Sequence, residues 1–260
     1  MQIKQYLRIK DDDIEMAITD ITIKKLEKIY TSNLKALDGI DIIVNHGEIF
    51  GLIGPNGAGK STTIRILATL LRPTAGSVSI LGHDVVKEQM EVRKIISYLP
   101  EDAGAYENLT GREYLKFMLG FYDIDENETL KLGMQIADLK ERIDSKVKEY
   151  SKGMKRRLLI ARTLMIKPKI AILDEPTAGL DVMHGYYIRR EIKNAIKSGS
   201  TTAILSSHNL LEVEFLCDKV AMINKGKILD SGTPQELKEK YSGVNLEDVF
   251  FHAIKKSEES

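Results

Sequence analysis

Residues Gly54-Pro55-Asn56-Gly57-Ala58-Gly59-Lys60-Ser61 follow the pattern G-x-x-x-x-G-K-[ST], and few octapeptides restrict a fold as tightly. Glycines let the backbone curl until consecutive N–H groups converge on one point. Such a turn holds an anion when a strand delivers it and a helix continues it, because the helix N-terminus adds partial positive charge. Both flanks are present. Ile49-Phe50-Gly51-Leu52-Ile53 reads as a buried strand, and a helical pattern over about 60–71 is stopped by Arg72-Pro73-Thr74-Ala75-Gly76. The turn is therefore expected to cradle the phosphates of a nucleoside triphosphate, with Gly54, Asn56, Gly57, Ala58, Gly59 and Thr62 around them. Lys60 is expected on the β- and γ-phosphates and the Ser61 hydroxyl on Mg²⁺.

The remaining pattern predicts an α/β fold with a parallel sheet. Short β-branched runs at 77–81, 170–173, 201–205, 219–223 and 227–230 alternate with helical stretches such as 183–196. Between about 101 and 167 the pattern is helical, over 112–121, 126–137 and 154–165, and predicts an α-helical subdomain inserted into the core. Lysine plus arginine equals aspartate plus glutamate, at 38 each, so overall charge argues for neither nucleic acid nor an acidic membrane surface. The one cysteine, Cys217, permits no intrachain disulfide and fits a reducing compartment. Residues 1–13 hold no apolar core of signal-peptide length. No apolar run approaches the roughly 18–20 residues that a membrane-spanning helix needs. A membrane role would require another chain.

Ile170-Ala171-Ile172-Leu173 ends in Asp174-Glu175. A strand emerging beside the phosphate turn places Asp174 for the Mg²⁺ shell and Glu175 to take a proton from the attacking water. Taken alone, the pair also reads as a helix cap before Pro176.

Further segments carry a resemblance. Tyr150-Ser151-Lys152-Gly153-Met154 opens a helix, Ala178-Gly179-Leu180-Asp181 follows the acidic pair, and Ser207-His208 follows the next strand. Together they resemble the signature motif, D-loop and switch histidine of ABC-type ATPases, over about residues 30–250. The resemblance implies a P-loop NTPase core with a mostly parallel sheet and an N-terminal antiparallel β part. One domain would cover 1–260, with a RecA-like core over about 15–100 and 168–240, a helical subdomain over about 101–167 and a C-terminal helical tail over about 241–260.

The resemblance also implies function: an ATP-hydrolysing subunit of a transporter. Two such domains would pack head to tail around two Mg²⁺-bound ATP molecules, as homodimer or heterodimer. Ser151 and Gly153 of one copy would then meet the nucleotide of the other, and Asp181 the opposite phosphate turn. His208 would contact the γ-phosphate, and Tyr30 would stack on adenine. A separate membrane permease would dock near residues 101–122, holding the protein on the inner face of the cell membrane; no nucleic acid is expected.

Two departures stand out. The signature reads Ser-Lys-Gly-Met where the commonest form is Ser-Gly-Gly-Gln, so Lys152 either adds a cation near the nucleotide or points to solvent. Glu101 of Tyr98-Leu99-Pro100-Glu101 stands where the family has glutamine, keeping a ligand oxygen for Mg²⁺ while adding negative charge. Both variants resemble a multidrug- and ion-export branch. Lys152, Lys155, Arg156 and Arg157 form a basic cluster, read as a solvated helix face. The alternatives are a soluble ABC-type ATPase on a non-membrane partner and a regulatory module that binds ATP without turnover; Glu175 and His208 together weigh against the latter.

Overall fold

The computed structural model describes residues 19–198 and 201–258. The opening stretch 1–13, the expected core start near residue 15 and the last two residues of the chain lie outside them. In chain order the elements are β1 (Thr19–Ile29), β2 (Lys35–Asn45), β3 (Ile49–Ile53), α1 (Lys60–Leu67), β4 (Ala75–Ile80), β5 (His83–Asp84), α2 (Gln89–Ile95) and β6 (Ile96–Leu99). Then come α3 (Gly111–Leu119), α4 (Glu126–Ala137), α5 (Lys152–Leu164), β7 (Ile170–Asp174), α6 (Val182–Ser198), β8 (Thr202–Ser207), α7 (Leu210–Leu216), β9 (Lys219–Asn224), β10 (Lys227–Gly232), α8 (Pro234–Tyr241) and α9 (Leu246–Glu258).

The fold is α/β, with two sheets. A four-stranded sheet of order β2-β1-β4-β5 is antiparallel throughout. A six-stranded sheet of order β10-β9-β3-β8-β7-β6 is parallel except for its edge pair β9–β10. Strands β3, β7 and β8 are buried at every residue, which explains why they read as unbroken apolar runs: both faces of a parallel sheet are covered. Alternate side chains serve two separate cores. Ile49, Ile53, Leu173 and Leu205 pack with the helices α3 to α7, while Phe50, Leu52, Ile172 and Ile204 pack with α1 and the antiparallel sheet. That two-residue alternation fixes strand register, since a slip by one residue would exchange the two cores.

Helix boundaries differ from the predicted ones where distant contacts intervene. The first helix stops at Leu67, four residues early, because Thr69 adopts a left-handed φ of 61°. Arg93 holds that turn, donating to Thr69 Oγ1 at 2.8 Å and to its carbonyl. Helix α5 begins earlier than its apolar period suggested, because the Ser151 hydroxyl caps it by accepting from Met154 N at 3.2 Å. The closing segment around Asn245 is helical, as α9.

Candidate functional site

Three parallel strands end side by side. Register sets Ile53 beside Ser207 and Asp174 beside Ser206, so the phosphate turn, the acidic pair and the switch segment all leave one edge of the sheet. Ligand sites of open α/β sheets lie at such carboxyl ends. Gly59 turns the chain into α1 at φ 112°, and a Cβ there would lie 2.7 Å from the Ala36 carbonyl oxygen. Only glycine makes this turn. Gly59 supplies no side-chain cap to α1, which leaves the N–H groups of the first turn available as donors to an anion.

A cleft of ≈ 200 Å³ is lined by Tyr30, Asn56, Gly57, Gly59, Lys60, Ser61, Thr62, Glu101 and Glu175, with Leu34, Ala36 and Pro55. Leu34 and Ala36, which no motif marks, reach the site from the β1–β2 hairpin. The Tyr30 hydroxyl lies 3.2 Å from Thr62 Oγ1. Gly54 and Ala58 are buried beneath the turn; the Gly54 carbonyl accepts from Lys60 Nζ at 2.7 Å.

Beside Lys60 the carboxylates form a chain of contacts. Asp174 is buried, and its Oδ1 accepts from Ser206 Oγ at 2.5 Å and Ser61 Oγ at 3.4 Å. Glu175 is also buried and sits between Lys60 and His208: Oε1 lies 3.6 Å from Lys60 Nζ and Oε2 lies 2.9 Å from His208 Nδ1. An ionised carboxylate only accepts, so the proton in the latter contact sits on Nδ1, leaving Nε2 for another partner. Glu175 holds a left-handed φ of 46°, a conformation costing a non-glycine residue about 1–3 kcal/mol and concentrated at functional sites. Ser206 bonds both carboxylate segments, Asp174 through Oδ1 and Glu175 through its N–H at 3.1 Å. Its place at a strand end was the only signal available in sequence.

The oxygen donors Ser61 and Asp174, with Glu101 exposed at the cleft rim, suit Mg²⁺, a hard cation that takes its remaining ligands from water and substrate phosphates.

Ser151, Gly153 and Asp181 do not line this cleft. They gather elsewhere on the same chain. The His184 ring packs on Gly153, where a Cβ would lie 2.8 Å from it, and His184 binds Asp181 through Nδ1 at 2.7 Å and through its own N–H at 2.9 Å. Those bonds hold the Asp181 carboxyl below its ordinary range, the backbone N–H first. Lys152, whose role was open, lies over the D-loop: a Cβ on Gly179 would sit 2.0 Å from its Nζ.

The basic cluster is not one solvated face. Lys152 is exposed, but Arg156 is 7 % exposed, and all its hydrogen bonds go to carbonyls of the acidic-pair segment and the Glu101 segment. Arg157 is half-buried and stacks on Tyr187, 4.1 Å from the ring centre. The solvated reading fails because α5 packs between the helical segment and the sheet. Glu212, which sequence did not mark, is also buried; it accepts from Ser207 Oγ at 2.5 Å, and burial raises its pKa above the ordinary carboxylate value.

A family model described as "ABC transporter" matches residues 37–178. The chain is 38 % identical over 247 residues to a daunorubicin resistance ATP-binding protein of Streptomyces coeruleorubidus, covering 92 % of this chain and 76 % of that one. It is 39 % identical over 233 residues to the bacitracin transport ATP-binding protein of Bacillus licheniformis, covering 88 % and 76 %. A solved structure of the ATP-binding subunit of an ABC transporter superposes with a TM-score of 0.80 at 29 % identity, over 91 % of this chain and 100 % of that one.

Proposed function

The chain belongs to the ABC transporter family of ATP-binding, ATP-hydrolysing subunits, and from that premise we propose that it energises an exporter by closing, as a dimer, around two Mg²⁺-bound ATP molecules. The relatives named for daunorubicin resistance and bacitracin transport support the outward direction. The observation that carries the catalytic reading is Glu175, buried and held between Lys60 and His208.

In this reading the N–H groups of the phosphate turn and of α1 bind the β- and γ-phosphates, and Lys60 exchanges its carbonyl contacts for them. Ser61 and Asp174, with Glu101 at the rim, hold Mg²⁺. The metal's chemistry is to neutralise charge on the β- and γ-oxygens. Tyr30 offers its ring to adenine. The Glu175 carboxylate accepts the proton of the attacking water, and His208, anchored through Nδ1, presents Nε2 toward the γ-phosphate. Ser151, Gly153 and Asp181 lie outside their own chain's cleft, which supports their serving a second copy's nucleotide. The N-terminus of α5 suits that task, with a hydroxyl, backbone donors and a helix dipole.

No helix among the described residues is long and apolar enough to cross a membrane. A permease in another chain would hold the protein at the inner face of the cell membrane. The segment 101–122 supports this docking. Tyr114 and Leu115 are core, whereas Tyr106 and Phe117 are exposed and form an edge-on ring series with Phe121.

The test is Glu175→Gln. Mg²⁺-ATP affinity should stay close to wild type while turnover falls by roughly 10²–10⁴-fold, the usual contribution of a positioned base. Hydrolysis at the wild-type rate would remove Glu175 from that role.

A further inference from the structure

Arg156 is the most heavily engaged side chain near the cleft. Its Nε donates to the Pro176 carbonyl at 2.7 Å. Nη1 donates to Pro100 at 3.2 Å and Glu101 at 3.0 Å, and Nη2 to Asp174 at 3.0 Å and Glu175 at 2.6 Å. Every acceptor is a main-chain oxygen. Burial draws this guanidinium below its ordinary pKa, and Glu212 leads the carboxylates that oppose the shift. A buried cation is a poor source of net stability, because desolvation offsets what its contacts return. Its five-donor planar fork is, however, well suited to fixing geometry.

The geometry it fixes joins two loops. One follows β6 and carries Glu101; the other ends β7 and carries Asp174 and Glu175. Within the second loop, Glu175 is the residue with φ 46°. Its N–H is taken by Ser206, through the carbonyl at 3.2 Å and Oγ at 3.1 Å, and its carbonyl receives the shortest of the five Arg156 bonds. The unfavourable backbone conformation is thus held from both sides, one of them α5. We propose that Arg156 is a positioning residue: it pins the backbone of Glu175 in its left-handed conformation and ties it to the Glu101 loop, so that displacement of that loop or of α5 re-aims the base carboxylate. The inference rests on Glu175 being the base.

The test compares Arg156→Lys, Arg156→Met and Glu175→Gln in the full chain, measuring turnover, KM, Mg²⁺-ATP affinity and thermal unfolding. Lysine keeps a cation but cannot span both loops with one ammonium. Arg156→Lys should lose about tenfold or more in kcat, since small misplacements of reacting groups cost up to about a hundredfold, while KM and nucleotide affinity change by less than about twofold. Arg156→Met should lose at least as much. In hydrogen exchange, segments 99–103 and 174–178 should both open faster in Arg156→Lys, with segment 54–62 unchanged. Wild-type-like kcat in either folded Arg156 variant, or kcat and nucleotide affinity falling in parallel in a variant that stays folded, would overturn the proposal. Glu175→Gln separates the two readings: if it alone abolishes turnover, the base assignment stands without Arg156, and if it turns over normally, the base assignment itself is wrong. Should both Arg156 variants fail to fold, exchange in wild type under mild denaturant still decides. The amides of Ala103 and Ala178 should open with one common free energy, and separate free energies would refute the tie.

Discussion

Glu212 shows how a single buried side chain carries a pH signature. It lies behind the switch segment, accepting from Ser207 Oγ, and burial favours its neutral form. From the ordinary carboxylate value of 4.5 up to its raised folded value, the folded state binds more protons than the unfolded one. Stability therefore falls as pH rises through that window. Glu212→Gln, neutral throughout, should gain thermal stability relative to wild type as pH is raised from about 4 to about 8. A difference that stays constant with pH would contradict this. At this scale Lys60, Ser61, Asp174 and Glu175 were legible because their chemistry lies in motif order along the chain. Arg156, Ser206 and Glu212 were not, because their partners are main-chain atoms or hydroxyls brought near only by folding. Among charges on one helix face, nothing in sequence separates Arg156, capped by five carbonyls, from exposed Lys152.

Between elements, the start of α5 meets the D-loop and the start of α6. Lys152 crosses Gly179, and His184 bridges Gly153 and Asp181. Gly179 has φ 68°, so Gly179→Ala would impose a left-handed strain of about 1–2 kcal/mol and displace Lys152. The expected outcome is a lower melting temperature with turnover reduced several-fold. Unchanged turnover in a folded variant would show that this contact does not serve the reaction. Elements were readable where periodicity was long: 126–137 matches α4, and 170–173 falls one residue short of β7. Apolar period alone misplaces ends that a cap or a remote side chain decides: it starts α5 at residue 154, although the segment around Ser151 already marks the helix opening, and it runs α1 past the turn that Arg93 holds.

Over the whole molecule, the two cores hold the antiparallel sheet and the helices on opposite faces of the six-stranded sheet, leaving the carboxyl ends of its strands open at the cleft. The exposed ring series Tyr106–Phe117–Phe121 lies on the helical side. Phe121→Asp, at a ring 69 % exposed, should leave ATP hydrolysis by the isolated chain within about twofold, since exposed substitutions seldom disturb a core. It should also abolish co-purification with the membrane permease; retained co-purification would move the docking site elsewhere. The burial of β3, β7 and β8 was visible in their unbroken apolar runs, and the acidic pair could be set beside the phosphate turn from its strand, whereas the places of Tyr30 and His208 at that cleft were visible only through the resemblance. The most direct measurement of the central claim is sedimentation of the Glu175→Gln protein with Mg²⁺ and ATP, with bound nucleotide counted. The account predicts a nucleotide-dependent dimer holding two ATP molecules, reverting to monomer when Ser151→Arg is added while each monomer still binds ATP. A chain that stays monomeric with saturating nucleotide, or binds none, would contradict it.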